Sequence, residues 1–313
     1  MVRTPLNDPD EARESRPSRH AETSDQLRLF DPPERQRRPA TPRHPAGLVA
    51  DDEGLWSREV SLHSREKAHY VRRYADIVAT SMRGKWRAGV WWIELFAGPG
   101  RLFERETREY LRGSPVDAVS IPRPFDGYVF IDLGLDCVES LRARVGDRPS
   151  VHVVHGDAND QRTHDEVAKI VPDGALVEVY ADQEGLDFFW PSLEFFIRRY
   201  RSVDFLINLP TSGGARALGG GYEDKVGFVL GEEDVRKRLA EIETRRESDA
   251  IRRTYLAKLA AEGFEHDSVP VAVSGTQVAL YDLVVASRKQ LAIHFFHEAV
   301  GIDSGGQYAM KFA

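Results

Sequence analysis

Hydrophobic positions in residues 66–82 recur every three to four places: Tyr70, Val71, Tyr74, Ile77, Val78 and Met82 fall on one side of a helix. The period then changes. Residues 90–96 (VWWIELF) are an apolar run interrupted only by Glu94, which predicts a strand buried on both faces. Four more runs, at 126–133, 150–157, 174–182 and 202–210, read the same way. Helical spacing separates them at 137–145 and 191–200, and a longer helical stretch, broken once, fills 231–263. Residues 269–274 and 277–287 lie close enough to pair as a hairpin at a sheet edge. Strands alternating with helices predict an α/β fold: a doubly wound sheet of five parallel strands, closed by a C-terminal antiparallel hairpin. Residues 211–231 are too rich in glycine for a regular element and predict a mobile loop above the sheet.

Composition sets the N-terminus apart. Residues 1–50 hold eight of the 17 prolines and nine arginines, with few aliphatics. Such a segment cannot bury enough surface to order itself. It predicts a disordered arm over 1–55 and a globular domain over 56–313. Apolar residues make up 41 % of the 313-residue chain, enough for a core. No run reaches the roughly 18 apolar residues of a membrane span. No signal-type stretch opens the chain. The net charge of −7 leaves only a local surface for nucleic acid. The single cysteine, Cys137, excludes an internal disulfide and a cysteine-built metal cluster within the chain. These features predict a cytoplasmic protein without a membrane segment.

Chemistry concentrates where the first strand ends. Glu94 and Phe96 lead into Gly98-Pro99-Gly100, a turn whose glycines let backbone approach a ligand beyond the carboxyl end of a strand. Two cofactor classes compete for it. A dinucleotide asks for a third glycine and an acid about 20 residues on. Phe103 holds the third-glycine place, and Asp132, the acid ending the second strand, follows Gly98 by 34 residues. S-adenosylmethionine needs no pyrophosphate cradle. Glu94 suits its amino-acid part, Asp132 its ribose, and Asp157 its adenine.

The segments HSREKAHYVRRYADI, VWWIELFAGPGR, RGSPVDAV, YVFIDL and GDAND, taken together, resemble the three-Cys-motif partner proteins. The resemblance spans residues 61–210 and extends to the C-terminal YDLVVASRKQLAIHFFHEA. A more distant similarity, carried by the GSP segment, is to the J-type adenine N6-methyltransferases of large-subunit rRNA. The resemblance implies a class I methyltransferase fold and, by matching positions, Lys67, Ser114, Asp132, Gly156 and Asp157 around S-adenosylmethionine; with Glu94, Phe96, Gly98, Pro99 and Gly100 of the turn these make up the expected cofactor site. It also implies a separate partner chain carrying three cysteines. The implied activity is methyl transfer to a nucleic-acid base or a related amine, with Asp182 orienting the acceptor.

The fourth strand departs from the family pattern. It ends Ala181-Asp182-Gln183-Glu184-Gly185, without the family's proline and aromatic residue. Two readings follow: an enzyme using Asp182, or a non-catalytic subunit that keeps the fold for a three-Cys complex. An NAD-linked oxidoreductase is a third, weakened by the missing glycine. Phe188, Phe189 and Trp190 read as helix core, and Asn208-Leu209-Pro210 as a strand terminus lining the pocket. His294, His297 and Glu298 lack a third metal ligand, His152 and His155 read as packing, and the interleaved Arg clusters read as solvated helix faces. In the arm, Gln26, Leu27, Arg28, Leu29 and Phe30 resemble the peptide by which bacterial DNA-processing proteins dock on the sliding clamp.

Overall fold

The computed structural model describes residues 43–44, 47–62, 64–272 and 279–307. The arm's clamp-like peptide at 26–30 lies outside the described residues.

The chain opens with three short strands, β1 (Arg43–His44), β2 (Leu48–Ala50) and β3 (Trp56–Val60). The amphipathic helix α1 (Ser64–Met82) follows, burying Val71, Tyr74 and Val78 as its periodicity predicts. Then come β4 (Val90–Leu95), β5 (Arg101–Glu104), β6 (Tyr110–Arg112), α2 (Ser114–Val119), β7 (Gly127–Asp132), α3 (Leu135–Val145) and β8 (Val151–His155). The second half runs α4 (Gln161–Ile170), β9 (Leu176–Ala181), α5 (Trp190–Arg199), β10 (Ser202–Leu209), α6 (Thr211–Gly219), α7 (Glu223–Leu230), α8 (Val235–Ala240) and α9 (Glu247–Ala261). The antiparallel pair β11 (Glu265–Ala272) and β12 (Ala279–Ser287) and helix α10 (Gln290–Val300) close the fold.

The main sheet has seven strands in the order β11-β12-β10-β9-β4-β7-β8. β8, β7, β4, β9 and β10 are mutually parallel, and β12 joins β10 antiparallel. This is the class I methyltransferase arrangement expected of five parallel strands plus a hairpin. Alternation along β4 serves two cores. Ile93 and Leu95 pack towards α4, α5, α6, α7 and α9, while Val90 and Trp92 face α1, α2, α3 and α10. The strand order reverses between β4 and β9, so the crevice beyond their carboxyl ends is where a ligand site belongs.

Two expectations are corrected. Residues 48–50, assigned to the arm, form β2, where Leu48 and Val49 are buried. They belong to a second, five-stranded sheet, β1-β2-β3-β5-β6, that no local pattern announces. Residues 211–231 form α6 and α7 rather than a loop. At Gly214 the missing side chain serves contact: a Cβ there would sit 2.8 Å from Ile251 Cδ1.

Candidate active site

The turn after β4 holds unusual backbone. Phe96, Gly98 and Gly100 all have positive φ, of 65°, 63° and 81°. A left-handed phenylalanine costs energy and persists only where its surroundings enforce it. Here its ring meets Phe188 edge-on at 6.3 Å. The turn is fixed from β7: Asp132 Oδ2 accepts from Gly98 N at 2.7 Å, and its Oδ1 from Gly134 N at 2.8 Å. A Cβ on Gly98 would meet nothing within 4 Å, so the backbone there is bare towards the cleft. After Gly100 the chain enters β5, not a helix. The helix N-terminus that binds a pyrophosphate after such a turn is therefore missing.

A cleft of about 1070 Å³ opens over the sheet at this point. Its wall includes Lys67, Phe96, Gly98, Pro99, Gly100, Ser114, Asp132 and Asp182. A smaller slot of about 280 Å³ adjoins it and shares Phe96, Asp132, Leu133 and Asp187. Gly156, Asp157, Asn159 and Phe189 line the slot. Leu133 stands 68 % exposed beside it, an apolar side chain left open next to an acid. Asn159, which the sequence did not single out, knits the slot together. Its Nδ2 donates to Asp187 O at 2.6 Å, and its Oδ1 accepts from Phe189 N at 3.0 Å and from Ser192 Oγ at 2.9 Å. The only advance signal was its place in an Asp-Ala-Asn turn.

Glu94 stands behind this wall rather than on it. It is fully buried, and its oxygens are taken by the Ser114 hydroxyl and by Trp92 Nε1 at 3.2 Å. Burial pushes its pKa up to about 8, against the two hydrogen bonds, so the carboxyl is neutral at pH 7. Glu94 thus reaches the cleft through Ser114.

The floor of the cleft is a polar cluster. Lys67, from α1, pairs with Asp182 Oδ1, at the end of β9. Asn208 Nδ2, from β10, donates to the same oxygen at 3.2 Å. Burial, the largest single influence, opposes the Lys67 charge, but Asp182, Tyr281 and Glu184 together outweigh it and raise the lysine's pKa. Tyr281, from β12, places its ring centroid 5.6 Å from Lys67 Nζ. Among the described residues the buried Tyr281 hydroxyl and Asn208 Oδ1 have no hydrogen-bond partner, and the buried Tyr180 hydroxyl faces the Asp182 carboxylate. Strand alternation marks both tyrosines as core, so nothing in the sequence nominated them.

Gln183 explains the altered motif in structural terms. It is buried, its Oε1 accepts from Asp187 N and Phe188 N at 2.9 Å each, and its Nε2 donates to Asn208 O at 3.2 Å. It shapes the 183–188 turn from within. Glu184 reaches across to Arg58 of β3 at 3.1 Å, bridging the small sheet to the β9 end. At the outer rim, Arg216, Tyr222 and Lys225 are exposed, and neither cation has an ion-pair partner among the described residues.

The remaining candidates sit elsewhere. Phe188 and Trp190 are core, as read. His297 pairs with Asp267 at 2.5 Å on the surface, and His152 stacks on Trp91. Among the described residues no group of three metal-ligating side chains converges. No helix there is long and apolar enough to cross a membrane.

No family model matches the chain, and no curated protein matches it. Solved structures do. An O-methyltransferase from Bacillus cereus in complex with SAH is 12 % identical, with 70 % of this chain and 80 % of that one covered, at a TM-score of 0.42. A putative methyltransferase from Thermobifida fusca is also 12 % identical, covering 72 % and 81 %, at 0.42. The fibrillarin pre-rRNA processing protein of Methanococcus jannaschii is 15 % identical, covering 69 % and 75 %, at 0.35. The fold assignment rests on the strand order and the switch-point cleft, not on these likenesses.

Proposed function

We propose that the chain is an S-adenosylmethionine-dependent methyltransferase whose acceptor is a nucleic acid or one of its components. One observation carries the cofactor. The glycine turn opens on a bare backbone at Gly98, an acid at Asp132 and an apolar slot with Asp157, yet leads into a strand. A phosphate-free nucleoside cofactor fits that set; a dinucleotide lacks its helix N-terminus. When bound, the cofactor supplies an electrophilic methyl group on a sulfonium. Asp132 would take the ribose hydroxyls, the slot with Asp157 the adenine, and the turn backbone with Ser114 the amino-acid end. Asp182 then stands beside the acceptor, where positioning is the main source of rate.

The rim supports an anionic, aromatic acceptor. Tyr222, exposed beside Arg216 and with Lys225 Nζ 6.0 Å from its ring centroid, offers an aromatic ring beside two cations, in a chain of net charge −7. We further propose a partner chain bearing three cysteines. The family resemblance supports it, and the one cysteine here, Cys137, is buried. Affinity purification from the native cell, with mass spectrometry of what comes with the chain, tests that point.

Calorimetric titration with S-adenosylmethionine, S-adenosylhomocysteine and NAD tests the cofactor. Micromolar binding of the first two, lost in Gly98→Val, is expected. Silence for both would sink the reading. Asp182→Asn separates enzyme from scaffold: the enzyme loses methyl transfer and keeps cofactor affinity, whereas a scaffold's complex is indifferent to the change.

A further inference from the structure

The cleft floor is rich in donors and poor in free negative charge. Lys67 Nζ has three hydrogens, and its one hydrogen bond among the described residues goes to Asp182. The buried Tyr281 hydroxyl has no hydrogen-bond partner among the described residues, and the buried Tyr180 hydroxyl faces the Asp182 carboxylate. The Asp182 charge is balanced by Lys67, and its contacts with Lys67 and Asn208 both fall on Oδ1. Neither Lys67 nor Asn208 engages Oδ2.

An amine gains positive charge as it is methylated. On this floor it would meet a lysine ammonium and no unbalanced carboxylate. A hydroxyl meets the opposite situation. Its oxygen accepts from Lys67 while its hydrogen faces Asp182, and the ammonium favours the negative charge that develops as the proton leaves.

We propose that the methyl acceptor is a hydroxyl oxygen held between Lys67 and Asp182, not an amine. This rests on the sulfonium-cofactor reading above. The acceptor oxygen uses a lone pair to form the new O–C bond. The C–S bond of the sulfonium donor breaks, and its electron pair returns to sulfur, leaving a neutral thioether. The hydroxyl proton passes to Asp182 Oδ2 and then to solvent. Lys67 keeps its own proton throughout: the Asp182 charge holds it there against burial, which favours its loss.

The test uses two isosteric probes, para-nitrophenol and para-nitroaniline, titrated into the full chain with and without S-adenosylhomocysteine. The phenol reports its own ionisation by its visible absorbance. With S-adenosylhomocysteine present, the protein should bind the phenol and hold a larger phenolate fraction than free solution at the same pH. Lys67→Met should weaken that binding by about tenfold or more and abolish the absorbance gain, as expected for loss of a charge-assisted hydrogen bond. Binding of the aniline should not respond to Lys67→Met. Should Lys67→Met fail to fold, Tyr281→Phe removes a single hydroxyl and should weaken the phenol by about threefold.

Tighter binding of the aniline, phenol binding indifferent to these substitutions, or no phenol binding at all would overturn the proposal. Calorimetry of S-adenosylhomocysteine on the same samples keeps the two readings apart. If it binds and the phenol does not, the hydroxyl acceptor falls and the cofactor stands. If it does not bind, the cofactor reading falls first.

Discussion

Arg144, near the end of α3, pairs with the carboxylate of Asp51 and donates from the same guanidinium to Pro99 O at 2.5 Å. It also donates to Trp56 O at 2.6 Å. The small sheet and the glycine turn are thereby fastened to one side chain, which is itself only 7 % exposed. Asp51 holds further partners in Ser57 Oγ at 2.8 Å and Leu55 N at 3.0 Å. The turn that lines the cleft is thus held from behind by residues the sequence assigned to an arm.

Arg144→Met should therefore act on stability and on the site together. It leaves a buried carboxylate short of its cation, with Arg101 at 3.4 Å the remaining ion-pair partner. The expected loss is about 2–3 kcal/mol in urea unfolding. S-adenosylhomocysteine affinity should fall as well, because Pro99 O loses its donor. Unchanged stability would mean that the small sheet and the turn hold their places independently.

The two glycines of the turn should separate stability from binding. At Gly100 a Cβ would lie 2.7 Å from Leu141 Cδ1, and φ is +81°. Gly100→Ala should cost about 2 kcal/mol of stability, from left-handed backbone plus overpacking. At Gly98 φ is +63° but nothing lies within 4 Å of the added Cβ. Gly98→Ala should cost about 1 kcal/mol and fall mainly on cofactor affinity. Calorimetry and unfolding of the pair decide it. If both variants bind S-adenosylhomocysteine equally, the open face at Gly98 is not the ligand's.

The main sheet was legible because β4, β7, β9 and β10 are buried on both faces and read as near-continuous apolar runs, with only the edge strand β8 half-buried. The small sheet was not, because it joins residues 43–60 to residues 101–112, and two- to five-residue strands carry no period. Glycine misled at 211–231. At Gly214 the missing side chain admits Ile251, which is packing rather than freedom. At the site, sequence could nominate Lys67 and Asp182 separately. Their pairing across 115 positions is a product of topology, with α1 laid beside the end of β9. Glu94 was visible as an acid in an apolar run. That it lies behind Ser114, neutral, was not, because the sequence does not tell which strand-end side chains reach solvent.

Glu94 gives the last prediction, in the pH dependence of stability. Its folded pKa is about 8, raised by burial from an ordinary value of 4.5. Between those values the folded protein keeps a proton that the unfolded chain has lost. Stability must then fall as pH rises through this window, by up to about 1.4 kcal/mol per pH unit from this group, and level off once the folded carboxyl also ionises. Asp204, raised to about 6, and Glu178, raised well above the usual range, both by burial, slope the same way, so the wild-type curve alone does not isolate Glu94. The difference curve does. Glu94→Gln replaces a neutral carboxyl with a neutral amide of the same shape. It should match the wild type near pH 5 and exceed it increasingly towards about pH 8 in urea midpoints. Parallel curves would mean that Glu94 is already charged in the folded protein, and that the charge on the cleft floor needs recounting with one more anion behind Ser114.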